Sequence, residues 1–293
     1  MLGLYGFVAD LLLLLAGTAL AVGGAWGMFA TTGIYVSPLV PLLLLVFGSG
    51  LLNLVKYGLA ARKVYTYAKE LAAAQNATII GMTTLAESRD QETGAHILRT
   101  QRYVEALARN LRNSPTCREE LTNANIDPLF RSAPLHDIGK VEIPDAVLCK
   151  PGKLTEDEWQ IMKRHPIIGQ KALTSSRSLL EGAGLAYLDY ACQVTIAHHE
   201  KWDGSGYPYG LSGTAIPLAG RLMALADVYD ALLCARVYKE VYPHEKVREM
   251  IVVQSGRHFD PTIVEAFIAC EKEFQQIARE LAEPPPALTD GAS

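Results

Sequence analysis

The sequence predicts an all-α protein: a two-helix transmembrane hairpin, a helical connector and a helical bundle that carries a metal centre. Three observations lead there. Between Leu11 and Val55 there is no Asp, Glu, Lys or Arg, and Asp10 is the only charge before Lys56. Residues 56–293 then hold all 27 basic residues and 30 acidic ones, a net charge of -3. Past that boundary strand signals are scarce, and helix-forming stretches alternate with Pro and Gly punctuation. With 49% of its 293 residues hydrophobic, the chain can fill a sizeable core in one or two domains. A formal charge of -4 lacks the basic excess of a nucleic-acid-binding surface, so no nucleic-acid polymer is expected as a partner.

The hairpin is assigned to residues 1–57. Its apolar runs, 7–28 and 36–55, each have about the 20 residues that cross a hydrocarbon core ~30 Å thick. Thr31-Thr32-Gly33 and Ser37-Pro38 separate them. A cleaved leader would begin with Lys or Arg, and none is present. Lys56, Arg62, Lys63 and Lys69 follow the second run, which by the positive-inside rule faces the rest of the chain to the cytoplasm from the inner membrane. Asp10 is expected at the membrane interface.

Residues 58–90 read as a connector helix, rich in Ala, Leu, Lys and Glu. Such a helix can pair with its copy in a homodimer or serve as a passive stalk, and the sequence leaves both open. The bundle is assigned to residues 80–275, with helices expected over 96–112, 155–173, 188–200, 217–236 and 243–252. Thr155 and Glu158 have the spacing of a capping box. Residues 284–293, opening with three prolines, are expected to be a disordered tail. Five cysteines without CxxC spacing read as free thiols.

Histidine placement carries the functional signal. Five of seven histidines fall in short clusters with carboxylates: Glu92/His96, His136-Asp137, His165 and His198-His199, with Asp227 and Asp230 as a further acidic pair. Singly, each has an ordinary reading as a core or surface residue. Together they offer imidazole and carboxylate without thiolate, a donor set that suits iron, manganese or zinc. Glu92 and His96, four apart, would share one helix face. Adjacent residues point in different directions, so His136-Asp137 and His198-His199 can serve two ions, Asp137 with both oxygens. His244 and His258 lie outside the clusters and read as structural.

The segments Arg89-Asp90-Gln91-Glu92-Thr93-Gly94-Ala95-His96, His136-Asp137-Ile138-Gly139-Lys140, His198-His199-Glu200, Asp203-Gly204-Ser205-Gly206-Tyr207-Pro208 and Asp227-Val228-Tyr229-Asp230 occur in this order. In this the chain resembles the HD-GYP family, a branch of the HD-domain metal phosphohydrolases that acts on cyclic di-GMP, from about residue 80 to about 270. The resemblance implies Glu92, His96, His136, Asp137, His165, His198, His199 and Asp227 as metal ligands. A Glu at the position of Glu92 implies a three-metal centre, otherwise two; iron or manganese is the expected ion. It further implies that Lys140, Tyr207, Arg236 and Lys239 hold substrate phosphates or shape the pocket. Glu142, where a Gly is common, and Leu233-Cys234, where small polar residues are usual, depart from the pattern without removing a ligand.

Two close divalent ions make hydroxide available from water near neutral pH and clamp a phosphodiester for in-line attack. Asp137 and Lys140 are the expected catalytic residues; an ammonium at Lys140, four after His136, would neutralise a phosphate oxygen if the helix continued. In the Gly-rich loop 202–210, Tyr207 and Trp202 can either stack on a guanine or anchor the loop, Trp202 being the less suited to stacking. The expectation is a membrane-anchored phosphodiesterase converting cyclic di-GMP to pGpG and onward to GMP. The alternatives are the same chemistry on another cyclic dinucleotide, or a non-catalytic ligand-binding signalling module.

Overall fold

The structure, a computed structural model, describes residues 2–89, 94–177, 183–233 and 242–282, with side chains of 2–11 and 183–184 excepted. Among them it is all-α, with two isolated bridges and no strand. The expectations for Asp10 and for the 284–293 tail fall outside what is described. The chain divides into two compact units, Met1–Ala74 and Gln75–Ser293.

The first unit contains α1 (Leu2–Thr32) and most of α2 (Leu39–Glu87). Gly33, at φ 70°, ends α1 by returning its amide to the Phe29 carbonyl (2.9 Å), a left-handed cap that side chains disfavour. At Gly17 the missing Cβ lets Leu45 pack within 3.1 Å of where it would stand. Both helices are long and apolar enough to cross a membrane, and none of their apolar windows is buried within the protein. α2 runs through 49 residues, from the apolar run into the stretch expected as a connector, because its only proline, Pro41, lies in the first turn where a missing amide costs nothing.

The second unit is a bundle. Its core lies among α3 (Gly94–Leu111), α4 (Asn123–Ser132), α8 (Ala183–Ala197), α9 (Leu218–Leu233), α10 (His244–Val253) and α11 (Pro261–Glu280). Along α3, Ile97, Val104, Leu107 and Leu111 recur at three- to four-residue steps or their multiples and are all buried. Sequence reading passed over α11, although Ile263, Phe267, Phe274 and Ile277 carry the same period. Its start is signalled too: Asp260 caps the helix by accepting the Thr262 amide at 2.8 Å, and Pro261 stands at its first position. Tyr103 stacks on Phe274 at 4.4 Å between ring centres, and Tyr229 meets both edge-on.

Shorter elements frame the site: 3-10 turns at Ala133–Leu135 and Ile138–Glu142, α5 (Asp145–Leu148), α6 (Glu156–Met162) and α7 (His165–Ser175). The capping box of α6 forms in both directions, Glu158 N–H to Thr155 Oγ1 and Thr155 N–H to Glu158 Oε2. The single helix expected over 155–173 is a correction: the structure has two. Pro166 has no amide to donate and its ring clashes with a preceding helical carbonyl, so the first helix stops at Met162 and a second starts at His165.

Candidate metal centre

Four elements deliver imidazoles to one place. His96 comes from the first turn of α3, His136 from the link between the two 3-10 turns, His165 from the first residue of α7, and His198-His199 from just past α8. Asp227 comes from α9. Two groups result. The donor atoms of Asp137, His165, His198 and His199 lie within 4.8 Å of one another, as do those of His96, His136 and Asp227. Asp137 stands between them: its Oδ1 is 3.1 Å from His165 Nε2 and 3.4 Å from His198 Nε2, while its Oδ2 is 3.4 Å from His136 Nε2. One carboxylate thus turns an oxygen toward each group.

Three of the five imidazoles have Nδ1 fixed by the backbone. Nδ1 of His136 faces the Ala133 carbonyl (3.1 Å), that of His165 the Met162 carbonyl (2.9 Å), and that of His198 the Val194 and Thr195 carbonyls (3.1 and 3.0 Å). A carbonyl only accepts, so each of these Nδ1 atoms carries a proton, and Nε2 presents a lone pair wherever the ring is neutral. These buried Nε2 atoms, and Asp137 Oδ1, have no hydrogen-bond partner among the described residues. Lone pairs 3.1 Å apart repel unless a proton or a metal cation lies between them. Nitrogen and oxygen donors without thiolate, aimed inward and otherwise unpaired, fit divalent ions of the manganese, iron or zinc type.

Electrostatics separate the imidazoles: His136 is held protonated by its acidic neighbours, whereas His198 and His199 are held neutral. Burial opposes the charged form of His136, but Asp137, Asp227 and Glu87 outweigh it and push its pKa up to about 10. Burial also opposes ionised Asp137, yet Lys140 and His136 hold its carboxyl well below the usual range. Burial and neighbouring histidines keep His198 and His199 low, hence neutral and ready to donate lone pairs.

The expectation that Lys140 shares a helical face with His136 is corrected. The backbone here is a 3-10 turn, in which residues three apart eclipse, so Lys140 Nζ meets Asp137 Oδ2 at 2.7 Å. Tyr207 lies flat on His199, ring centres 4.6 Å apart, with Trp159 edge-on at 5.9 Å. Trp202 anchors the loop: its amide bonds the His258 carbonyl and the Arg221 guanidinium lies over its ring. Glu200, 2% exposed, accepts the Tyr209 and Leu211 amides and ties the loop to the double histidine. At Gly206 a Cβ would stand 2.4 Å from the Lys201 nitrogen, so only glycine lets the loop fold back so closely.

Glu92, Arg236 and Lys239 lie outside the described residues. Sequence reasoning missed Glu87, buried at the end of α2, and Arg99, one turn after His96. A buried charge in a helical repeat was the available signal: Glu87 and Arg99 fall where the apolar period would place core residues.

Comparison with known proteins places this arrangement. A cyclic di-GMP phosphodiesterase of Vibrio cholerae is 55% identical over 209 residues, 71% of this chain and 42% of that protein. A probable cyclic di-GMP phosphodiesterase of the same organism is 50% identical over 219 residues, covering 75% of this chain and 49% of its own. A third V. cholerae protein, 3'3'-cGAMP-specific phosphodiesterase 2, is 40% identical over 205 residues, 70% of this chain and 36% of its own. The chain spans less than half the length of these relatives. The HD domain matches residues 69–263, a stretch that contains both donor groups and most of the bundle, and the chain therefore belongs to the HD-domain family.

Proposed function

We propose that the protein is a membrane-anchored, metal-dependent phosphodiesterase of the HD-GYP type that hydrolyses cyclic di-GMP to pGpG and then GMP. The observation that carries this reading is Asp137, one oxygen toward each of two groups of inward-facing donors. His96, His136 and Asp227 would hold one ion and His165, His198 and His199 another, Asp137 would offer an oxygen to each, and Glu92 is the further ligand the family resemblance implies. Ions bound there would lower the pKa of water toward neutrality and draw charge from the phosphodiester. The protein's own groups do the rest. Buried imidazoles exclude solvent and fix donor directions, while Lys140, beside Asp137, offers its ammonium to a non-bridging phosphate oxygen. Tyr207, held against His199, walls the pocket, with Arg236 and Lys239 completing the phosphate contacts.

A second substrate reading has a specific support: a relative at 40% identity is named for 3'3'-cGAMP. The partners are then a cyclic dinucleotide and the bilayer reached by α1 and α2, while the connector serves either to pair with a second copy of the chain or as a passive stalk. The test is elemental analysis of anaerobically purified protein alongside product assays on a cyclic dinucleotide panel. We expect iron or manganese and turnover of cyclic di-GMP. Asp137→Ala should lose the ions and at least 100-fold in activity while keeping its helical spectrum. Full activity in that variant would reject the centre. Faster turnover of 3'3'-cGAMP would select the second reading. A reporter fused after Lys63 should behave as cytoplasmic, and a periplasmic result would overturn the orientation.

A further inference from the structure

Three of the buried histidines rest Nδ1 on backbone carbonyls, whereas His96 rests its Nδ1 on a carboxylate, Asp230 Oδ2, at 2.8 Å. That carboxylate is gripped in turn. Arg99 Nε donates to Asp230 Oδ1 at 2.6 Å and its Nη2 to Oδ2 at 2.9 Å, a two-pronged contact. The third prong, Nη1, donates to the Leu281 carbonyl at 3.0 Å, at the end of α11. All three side chains are within 5% of full burial.

The spacing is paired on both helices. On α3, His96 faces the centre and Arg99 lies one turn on; on α9, Asp227 faces the centre and Asp230 lies one turn on. Each helix thus gives one residue to the donor group and one to the layer behind it. Asp230 is not itself a donor to the centre, because both of its oxygens are engaged by Arg99 and His96.

We infer that Asp230 is a positioning residue for the ion held by His96, His136 and Asp227, and that Arg99 holds Asp230 in place for that task. A carboxylate accepting the Nδ1 proton fixes the tautomer, orients the ring and makes Nε2 a stronger donor than a carbonyl partner does. The two halves of the centre are therefore inequivalent: removing the Asp230 charge weakens one half alone. This rests on the reading of both groups as ion sites.

The test uses the full chain, stripped of metal and titrated with Mn²⁺ by calorimetry, with bound manganese counted by elemental analysis. In Asp230→Asn one class of sites should weaken by about 10–100-fold while the other is unchanged. The paramagnetic resonance spectrum should change from that of a coupled manganese pair to that of an isolated ion. Asp230→Asn leaves Arg99 buried with half its partner, so Arg99→Met with Asp230→Asn serves as the second variant; it removes both charges and should show the same selective loss. Wild-type affinity at both classes in either folded variant overturns the proposal. Equal weakening of both classes, or failure of both variants to fold, assigns the pair to the scaffold and overturns it as well. A wild-type protein that binds no Mn²⁺, Fe²⁺ or Zn²⁺ at all removes instead the reading beneath it.

Discussion

Gly139 shows how little room the centre leaves. A Cβ there would stand 2.0 Å from the His165 carbonyl oxygen and 2.6 Å from the Gly169 nitrogen, both backbone atoms that cannot swing aside. The 3-10 turn that follows Asp137 and bears Lys140 therefore lies directly on the start of α7, and His165 reaches Asp137 for that reason. Gly139→Ala should cost roughly 2–4 kcal/mol of stability, the upper part of the overpacking range and beyond because the clash is with backbone, and should lower ion binding with it; thermal unfolding and Mn²⁺ titration check both. A second residue-scale expectation concerns acid. Burial, with the nearby Lys201 charge, pushes His258 down to about 4. The folded state thus binds fewer protons there than the unfolded chain, whose imidazole titrates near 6.5, and stability falls as pH drops from 6.5 toward 4. His258→Gln should flatten that part of the stability–pH curve, measured by denaturant unfolding, and an unchanged slope would place the acid sensitivity elsewhere.

At the scale of elements, packing outweighs local propensity. Phe274 on α11 is fully buried against Tyr103, Tyr229 and Phe267. Phe274→Ala should cost about 3–5 kcal/mol. Thr155→Ala, which removes the cap of the short and largely exposed α6, should cost only about 1 kcal/mol. Equal losses in denaturant unfolding would contradict this ordering. The same contrast explains what was legible. The all-α class, the Thr155 cap and α3 follow from local pattern and were readable. The break at Pro166 was readable in principle, but a helical period on both sides masked it.

The whole molecule joins two different materials. In the first unit Leu13, Leu20 and Phe47 are 71%, 77% and 73% exposed, an apolar surface that water penalises by about 1.5–3 kcal/mol per side chain. The second unit holds the continuous core. A chain beginning at Gln75 should therefore remain folded, soluble without detergent and able to bind Mn²⁺, while the full chain fractionates with membranes. Aggregation of the shortened chain, or a full chain that stays in the aqueous fraction, would contradict this division.

What the sequence determined by itself is the segregation of apolar from charged residues and the helical class, together with a set of candidate imidazole and carboxylate donors: each is a property of composition or of neighbours a few positions apart. Tertiary structure alone decided that Asp137 divides its oxygens between two groups, that Lys140 answers Asp137 rather than His136, and that of two acids on one face of α9 Asp227 joins the donors while Asp230 stands behind His96. His96 and Asp230 are 134 positions apart. Local spacing cannot tell which oxygen meets which nitrogen over that distance, because the meeting is set by how α3, α7, α8 and α9 pack against one another.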